Sequence, residues 1–197
     1  MTRPRAYLAG PEVFLADGAA IIAAKNDLAL AYGFLPNGIA EDDLDPTGLS
    51  PFEFGHRISL ANEKAMRASE LIIANLTPFR GISADIGTAF ELGFMCALGR
   101  AAYGYTNTLR PYFERLRDDY YRGAITQAAD GVTRGPDGMM VEDHEMIDNL
   151  MLDGGIETLG GILIRRQVGP DRLWSDLSAF EDCLRAAAVR FGLAVPV

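Results

Sequence analysis

The run SELIIANLTP, residues 69–78, constrains the fold more than any other stretch of the chain. Its centre is apolar at consecutive positions, so an extended strand here has no polar face and must be covered on both sides. What surrounds it repeats the same grammar. RAYLAGP is a short apolar run that breaks at Gly-Pro, ADGAAIIAAKNDLALAYG carries a helical period between Asp17 as N-cap and Gly33 as stop, and FLPNGIA predicts a second short strand. AEDDLDPTGLSP reads as an acidic loop, FEFGHRISLANEKAMRAS as a helix, and AAYGYT as a further strand. Strand and helix in alternation predict an α/β fold with a parallel sheet covered on both faces. Ligands of such sheets bind beyond the carboxyl ends of the strands, at a switch point, which directs attention to Tyr7–Gly10 and Asn75–Thr77.

The remaining segments are less regular. Residues 108–145 hold DDYYRG and TRGPDGMM with little periodicity, and predict a lid-like insertion or helices too irregular to place. Tyr103, Tyr105, Tyr120 and Tyr121 could stack on a planar ligand, although packing is the commoner fate of such residues. DRLWSDLSAFEDCLRAAAVRFG predicts an amphipathic final helix with Trp174, Leu177, Phe180, Leu184 and Ala188 on one face. With 197 residues and 49% hydrophobic content, residues 1–197 are expected to form a single domain.

A net charge of −9 makes the chain a poor match for phosphate backbones, so no nucleic-acid partner is expected. Cys96 and Cys183 sit in helical patterns and predict buried free thiols; two separated histidines, His56 and His144, argue against a zinc site. The N-terminal residues have no long apolar run, which predicts no signal peptide, no membrane span and a cytoplasmic setting.

One segment stands apart. ADIGTAFELGFMCALG reads as a helix with an apolar middle, yet Glu91 lies between Phe90 and Leu92 with no Lys or Arg within six residues on either side. Burying an unpaired charge is costly unless the group neutralises or finds hydrogen bonds. Gly87 is one turn before Glu91 on the same face and leaves room for a ligand to approach it; Gly87 and Gly93 each cost about 1 kcal/mol of helix propensity against Ala. Asp85 lies six residues before Glu91, so their directions differ by roughly 120° on an ideal helix. They can share a pocket if Asp85 stands on the loop side. Structural readings compete: Asp85 as a plain N-cap, Glu91 paired with Arg57, Arg67 or Arg80, and Tyr7 as a core aromatic. Tyr7, however, needs a partner for its hydroxyl if buried, and Glu91 needs a donor.

YLAGP in the first strand, ANLTPFRG followed by ADIGTAFELG, and the later NLML together resemble the nucleoside 2-deoxyribosyltransferases, in the same order over most of the chain. The resemblance implies a flavodoxin-like (Rossmann-like) three-layer fold with a five-stranded parallel sheet. It implies a homo-oligomer of two or more subunits that share the active site, and transfer of 2-deoxyribose between free nucleobases and 2′-deoxynucleosides through a covalent glycosyl-enzyme. Glu91 in FELG matches the nucleophile, Asp85 the acid that contacts the sugar and assists the leaving base, and Tyr7 the tyrosine that orients the nucleophile. Asn149 in NLM matches the asparagine given by the neighbouring subunit to the 5′-hydroxyl. Asn62 falls at a base-facing position where some members carry Asp, and an amide offers different donors and acceptors. Gly10 and Phe14 in the loop after the first strand, with Gly87, complete the substrate-binding candidates. A carboxylate that attacks the anomeric carbon splits one displacement into two, and needs no metal or organic cofactor. It must be ionised, so Tyr7 is expected to lower its pKa against burial.

Two other functions fit this reading. Relatives that hydrolyse nucleoside 5′-monophosphates look as though they need a basic phosphate cradle after the first strand, whereas here GPEVFLADG offers Glu12 and no cation, an arrangement expected to repel phosphate. Arg80 in PFRG could bind a phosphate or hold a loop. A non-catalytic nucleoside-binding domain would keep the fold without turnover. GTAFELG lacks both G-x-G-x-x-G and G-K-[ST], which removes dinucleotide and P-loop readings.

Overall fold

The computed structural model describes residues 3–39 and 44–196; the first part of the acidic loop predicted over residues 40–51 lies outside them. Strand β1 (Arg5–Ala9) ends in a short 3-10 turn, Pro11–Phe14, and leads to α1 (Gly18–Ala31). Then come β2 (Leu35–Pro36), α2 (Pro51–Arg67), β3 (Leu71–Asn75), α3 (Ile86–Ala97) and β4 (Ala101–Thr106). A turn of helix, α4 (Tyr112–Arg115), runs into a π-helical turn, Leu116–Tyr120. A separate hairpin of β5 (Thr126–Gln127) and β6 (Thr133–Arg134) follows, and α5 (Leu150–Thr158), β7 (Leu163–Arg165) and α6 (Ser178–Arg190) close the chain.

The main sheet has five strands in the order β2-β1-β3-β4-β7, all parallel. Register pairs Tyr7 with Ile72 and Ile73 with Tyr103. The chain steps from β1 outward to β2, then returns across β1 to β3, so the switch point falls between β1 and β3.

Alternation along the strands assigns side chains to two cores. Ala6, Leu71, Ile73, Tyr103 and Tyr105 pack with Ala29, Phe180, Cys183, Leu184 and Ala188 of α1 and α6. Tyr7, Ala9, Ile72, Ala74 and Ala102 pack on the other face with Met66, Leu92, Met95 and Ile156 of α2, α3 and α5. That parity turns Tyr7 toward α2 and α3.

Several local expectations change. Asp17 occupies the N-cap position of α1 but its side chain makes no capping bond. The second strand shrinks to two residues, ended by the turn chemistry of Pro36-Asn37-Gly38. Trp174 and Leu177 precede α6 instead of lying on it, while Phe180, Leu184 and Ala188 form its buried stripe. Tyr103 and Tyr105 are core residues, unavailable to a ligand. The helix α2 begins with a reciprocal Ser50–Glu53 capping box, readable in S-P-F-E. No described helix is long and apolar enough to cross a membrane.

Candidate active site

Three elements deliver the site. From β1, the hydroxyl of Tyr7 donates to Glu91 Oε1 at 2.6 Å, and it also lies 2.9 Å from the side-chain oxygen position of Asn62. The phenol has one proton. With that proton on the carboxylate side, the Asn62 amide satisfies the same oxygen by presenting its NH2, the orientation reached by exchanging its O and N. Asn62 comes from α2 and Glu91 from α3.

Glu91 lines an open cleft of about 270 Å³ with Gly55, Ile58, Ser59, Asn62, Met66, Gly87 and Phe90. Gly87 and Glu91 share one face of α3, as their spacing predicts. The lining holds one carboxylate, two small polar groups and an apolar remainder, with no Lys or Arg among them. None of Arg57, Arg67 or Arg80 pairs with Glu91. Arg57 donates to the Asp45 carbonyl and Arg67 pairs with Glu63. Arg80, at a φ of 53°, lies over the rings of Phe14 and Phe79.

Burial pushes Glu91 up to about 7, the Tyr7 hydrogen bond pulls the other way, and the charges of Asp85 and Glu12 add to the rise. Tyr7 lowers the carboxyl's pKa against burial, as expected, but desolvation outweighs the donor and the net shift is upward. The phenol itself is driven far up, chiefly by burial and then by Glu91, so it stays a donor.

Asp85 is the N-cap of α3. Its Oδ2 accepts from the Thr88 amide at 2.9 Å and the Thr88 hydroxyl at 3.1 Å. The capping role is real, and it does not use both oxygens: Oδ1 has no hydrogen bond among the described residues. Because the N-cap is non-helical, the angle expected from an ideal helix does not apply, and the charge of Asp85 reaches Glu91.

The loop after β1 differs from its sequence reading. Glu12 is buried; its Oε1 accepts from Lys25 Nζ and Asn75 Nδ2, both at 2.9 Å, and from the Tyr105 hydroxyl at 3.2 Å. Lys25 is equally buried, on α1. Burial raises the Glu12 carboxyl, but Lys25 and the hydrogen bonds hold it below its ordinary value. A paired, inward carboxylate does not confront a ligand, so repulsion by Glu12 is no longer a reason against phosphate. Gly10 is explained by the same residue: a Cβ there would meet Glu12 Oε2 at 2.0 Å. Phe14 is exposed and stacks on Phe79 at 5.5 Å. Neither Gly10 nor Phe14 lines the cleft.

Asn149 is exposed at the N-cap of α5, where its side-chain oxygen accepts from the Met151 amide at 3.1 Å. No hydrogen bond joins it to Tyr7, Asn62 or Glu91 among the described residues. Nor does any residue of 108–145 line the cleft. The residues that sequence reasoning missed are Ser59 and the buried pairs Glu12–Lys25 and Arg115–Asp148. Ser59 precedes Asn62 by one helical turn, which was a readable signal; the pairs have none in local sequence.

The chain and its fold have counterparts among known proteins. The sequence model of the family described as nucleoside 2-deoxyribosyltransferase matches residues 6–151. An uncharacterised protein of Schizosaccharomyces pombe is 29% identical over 172 residues, spanning 81% of this chain and 80% of its own length. The solved 2-desoxiribosyltransferase from Leishmania mexicana superposes with a TM-score of 0.57 at 27% identity, covering 92% of this chain and 97% of its own. A conserved protein from Enterococcus faecalis superposes with a TM-score of 0.50 at 18% identity over 95% of this chain and 98% of its own, a likeness of fold. Tyr7 on β1 and Glu91 on α3 both fall within the matched residues, and the chain belongs to the nucleoside 2-deoxyribosyltransferase family.

Proposed function

We propose that the protein transfers 2-deoxyribose from one nucleobase to another, with Glu91 as nucleophile. The observation that carries the reading is the 2.6 Å contact between Tyr7 and Glu91 at the wall of an open, weakly polar cleft. A Glu91 oxygen attacks C1′ of a 2′-deoxynucleoside. The bond from C1′ to the base nitrogen breaks, and its electron pair leaves with the base. A proton delivered by Asp85 neutralises that base. A second base then attacks C1′ through its ring nitrogen and expels the Glu91 carboxylate, and the Asp85 carboxylate takes the N–H proton that the incoming base loses. Tyr7 orients Glu91 throughout, and Asn62 and Ser59 face the base. The absence of Lys and Arg from the cleft lining favours unphosphorylated nucleosides.

The reading includes a second copy of the chain. Ile86 is 86% exposed, Phe90 61% and Met151 72%, all at the N-terminal parts of α3 and α5. Phe90 lines the cleft and Ile86 adjoins Gly87 in its wall, and apolar side chains as exposed as these three suit burial by a second copy. In that arrangement Asn149 of the partner subunit reaches the 5′-hydroxyl.

The test is a chromatographic assay with 2′-deoxyinosine, with and without adenine. New 2′-deoxyadenosine, abolished by Glu91→Ala, is expected. The cleft is open to solvent in the single chain, which favours one competing outcome: hypoxanthine released without a new nucleoside would make the protein a hydrolase. Inertness toward deoxynucleosides and 5′-monophosphates alike, with retained binding, would make it a binding domain.

A further inference from the structure

Away from the cleft, the chain buries a second carboxylate–cation pair that the proposed chemistry does not use. Arg115 Nη2 lies 3.2 Å from Asp148 Oδ2, and both side chains are almost wholly covered. Arg115 also donates to three carbonyls at 2.6 Å: Ile82 through Nε, Arg110 through Nη1 and Ile147 through Nη2. Asp148 in turn accepts from the Ala84 amide at 2.8 Å through Oδ2, and from the Asn149 amide at 2.8 Å through Oδ1. Two of these bonds fall on Ile82 and Ala84, in the loop that ends at Asp85. They hold the backbone on the side of Asp85 that α3 does not.

The capping bonds to Thr88 hold Oδ2 of Asp85 from the helix side. Two anchors are then needed to aim Oδ1 at a departing base: one behind the residue and one ahead of it. A buried ion pair is an expensive way to tie down a surface loop, since both groups lose hydration. Its partners here are five backbone groups and one another, so every strong donor and acceptor of the pair is directed at positioning chain. The sequence separation of 33 residues makes it a tertiary clamp instead of a local turn.

We infer that Arg115 and Asp148 are a positioning pair for Asp85, setting its delivery of a proton to the leaving base; the inference rests on the glycosyl-transfer reading above. The chemistry gives a probe that a merely structural pair would not answer. Departure of hypoxanthine from 2′-deoxyinosine needs a proton on the base. N7-methyl-2′-deoxyguanosine already carries a positive charge on its base, so the C1′–N9 bond breaks to give neutral 7-methylguanine with no acid. Glu91 attack is required in both.

Asp148→Asn cannot accept at both oxygens and leaves Arg115 unmatched. It is expected to lower kcat for 2′-deoxyinosine by about 100-fold, the lower range of general acid catalysis, and to change the N7-methyl substrate little. Asp85→Asn should show the same split, and the double variant should be no slower than Asp85→Asn alone. Arg115→Lys, which keeps a cation, should show the same split in weaker form, and thermal melts of each variant establish that it is folded. Equal losses on the two substrates, or losses that multiply in the double variant, would overturn the inference while leaving transfer intact. A wild-type protein that cleaves neither substrate would remove the functional reading, and the inference with it.

Discussion

The hydroxyl of Tyr7 and a carboxylate oxygen of Glu91 lie 2.6 Å apart, although 84 residues separate them. Removing that donor with Tyr7→Phe keeps the ring in the core and leaves Glu91 less able to ionise. A hydrogen bond to a charged group is worth about 1.5–3 kcal/mol, so the acid limb of kcat/KM should move up by about 1–2 pH units from its position near 7. A pH–rate profile of Tyr7→Phe reads the shift directly; a rate loss with an unmoved limb would mean that Tyr7 acts only by geometry.

Glu91 also sets a cost on stability. Its folded pKa, about 7, lies above the ordinary 4.5, so the folded state binds the proton more tightly. The associated stability is full below pH 4.5 and is lost as pH rises through 7. Glu91→Gln should therefore abolish transfer and stabilise the protein at pH 8 by up to about 3 kcal/mol, with little gain at pH 4. Urea unfolding at the two pH values measures the difference.

Gly87 separates helix stability from access to the site. Gly87→Ala gains up to about 1 kcal/mol of helix propensity. Its Cβ would stand 3.0 Å from Asp85 Oδ2, in the wall of the cleft beside Glu91. The variant should lose kcat/KM by more than 10-fold, about 1.4 kcal/mol in the transition state, without a lower Tm. Calorimetry alongside steady-state kinetics decides it.

The pair of Glu12 and Lys25 should behave as a unit. Lys25→Met strands a carboxylate among Asn75 and Tyr105 and should cost about 3–5 kcal/mol, much of which Glu12→Gln restores in the double variant. Because the Glu12 carboxyl is held below its ordinary 4.5, its contribution is present above that pH and is lost as pH falls through the lower folded value. Denaturation of the four proteins of the cycle between pH 3 and 7 tests both statements.

How much of this could be read in the chain differs from residue to residue. The order of strands and helices follows from local pattern: LIIAN has no polar face, the amphipathic period of residues 51–67 marks a helix, and residues 18–31 form an apolar, alanine-rich run free of proline that ends before Gly33. Gly87 and Glu91, which share the cleft wall, stand out in the sequence because a lone carboxylate in an apolar helix, one turn from a glycine, violates the rules that stability alone would impose. The irregular segment 108–145 was not legible, because a one-turn helix, a π-helical turn and a hairpin of two-residue strands are all too short to repeat a period.

Tertiary structure decided the partners. Parity along β1 made Tyr7 face one side of the sheet, but only the strand order put α2 and α3 together on that side, so that Asn62 and Glu91 meet one phenol. Glu12 looked like a repulsive group in a loop and proved to be a buried acceptor for Lys25, Asn75 and Tyr105; Gly10 was a ligand candidate and proved to be the space that Glu12 fills. Arg115 and Asp148 gave no local sign of each other. Apolar burial is additive and periodic along the chain, so sequence by itself determines where elements form. A buried charge must be matched by a specific atom, and which atom arrives is known only when the elements have packed.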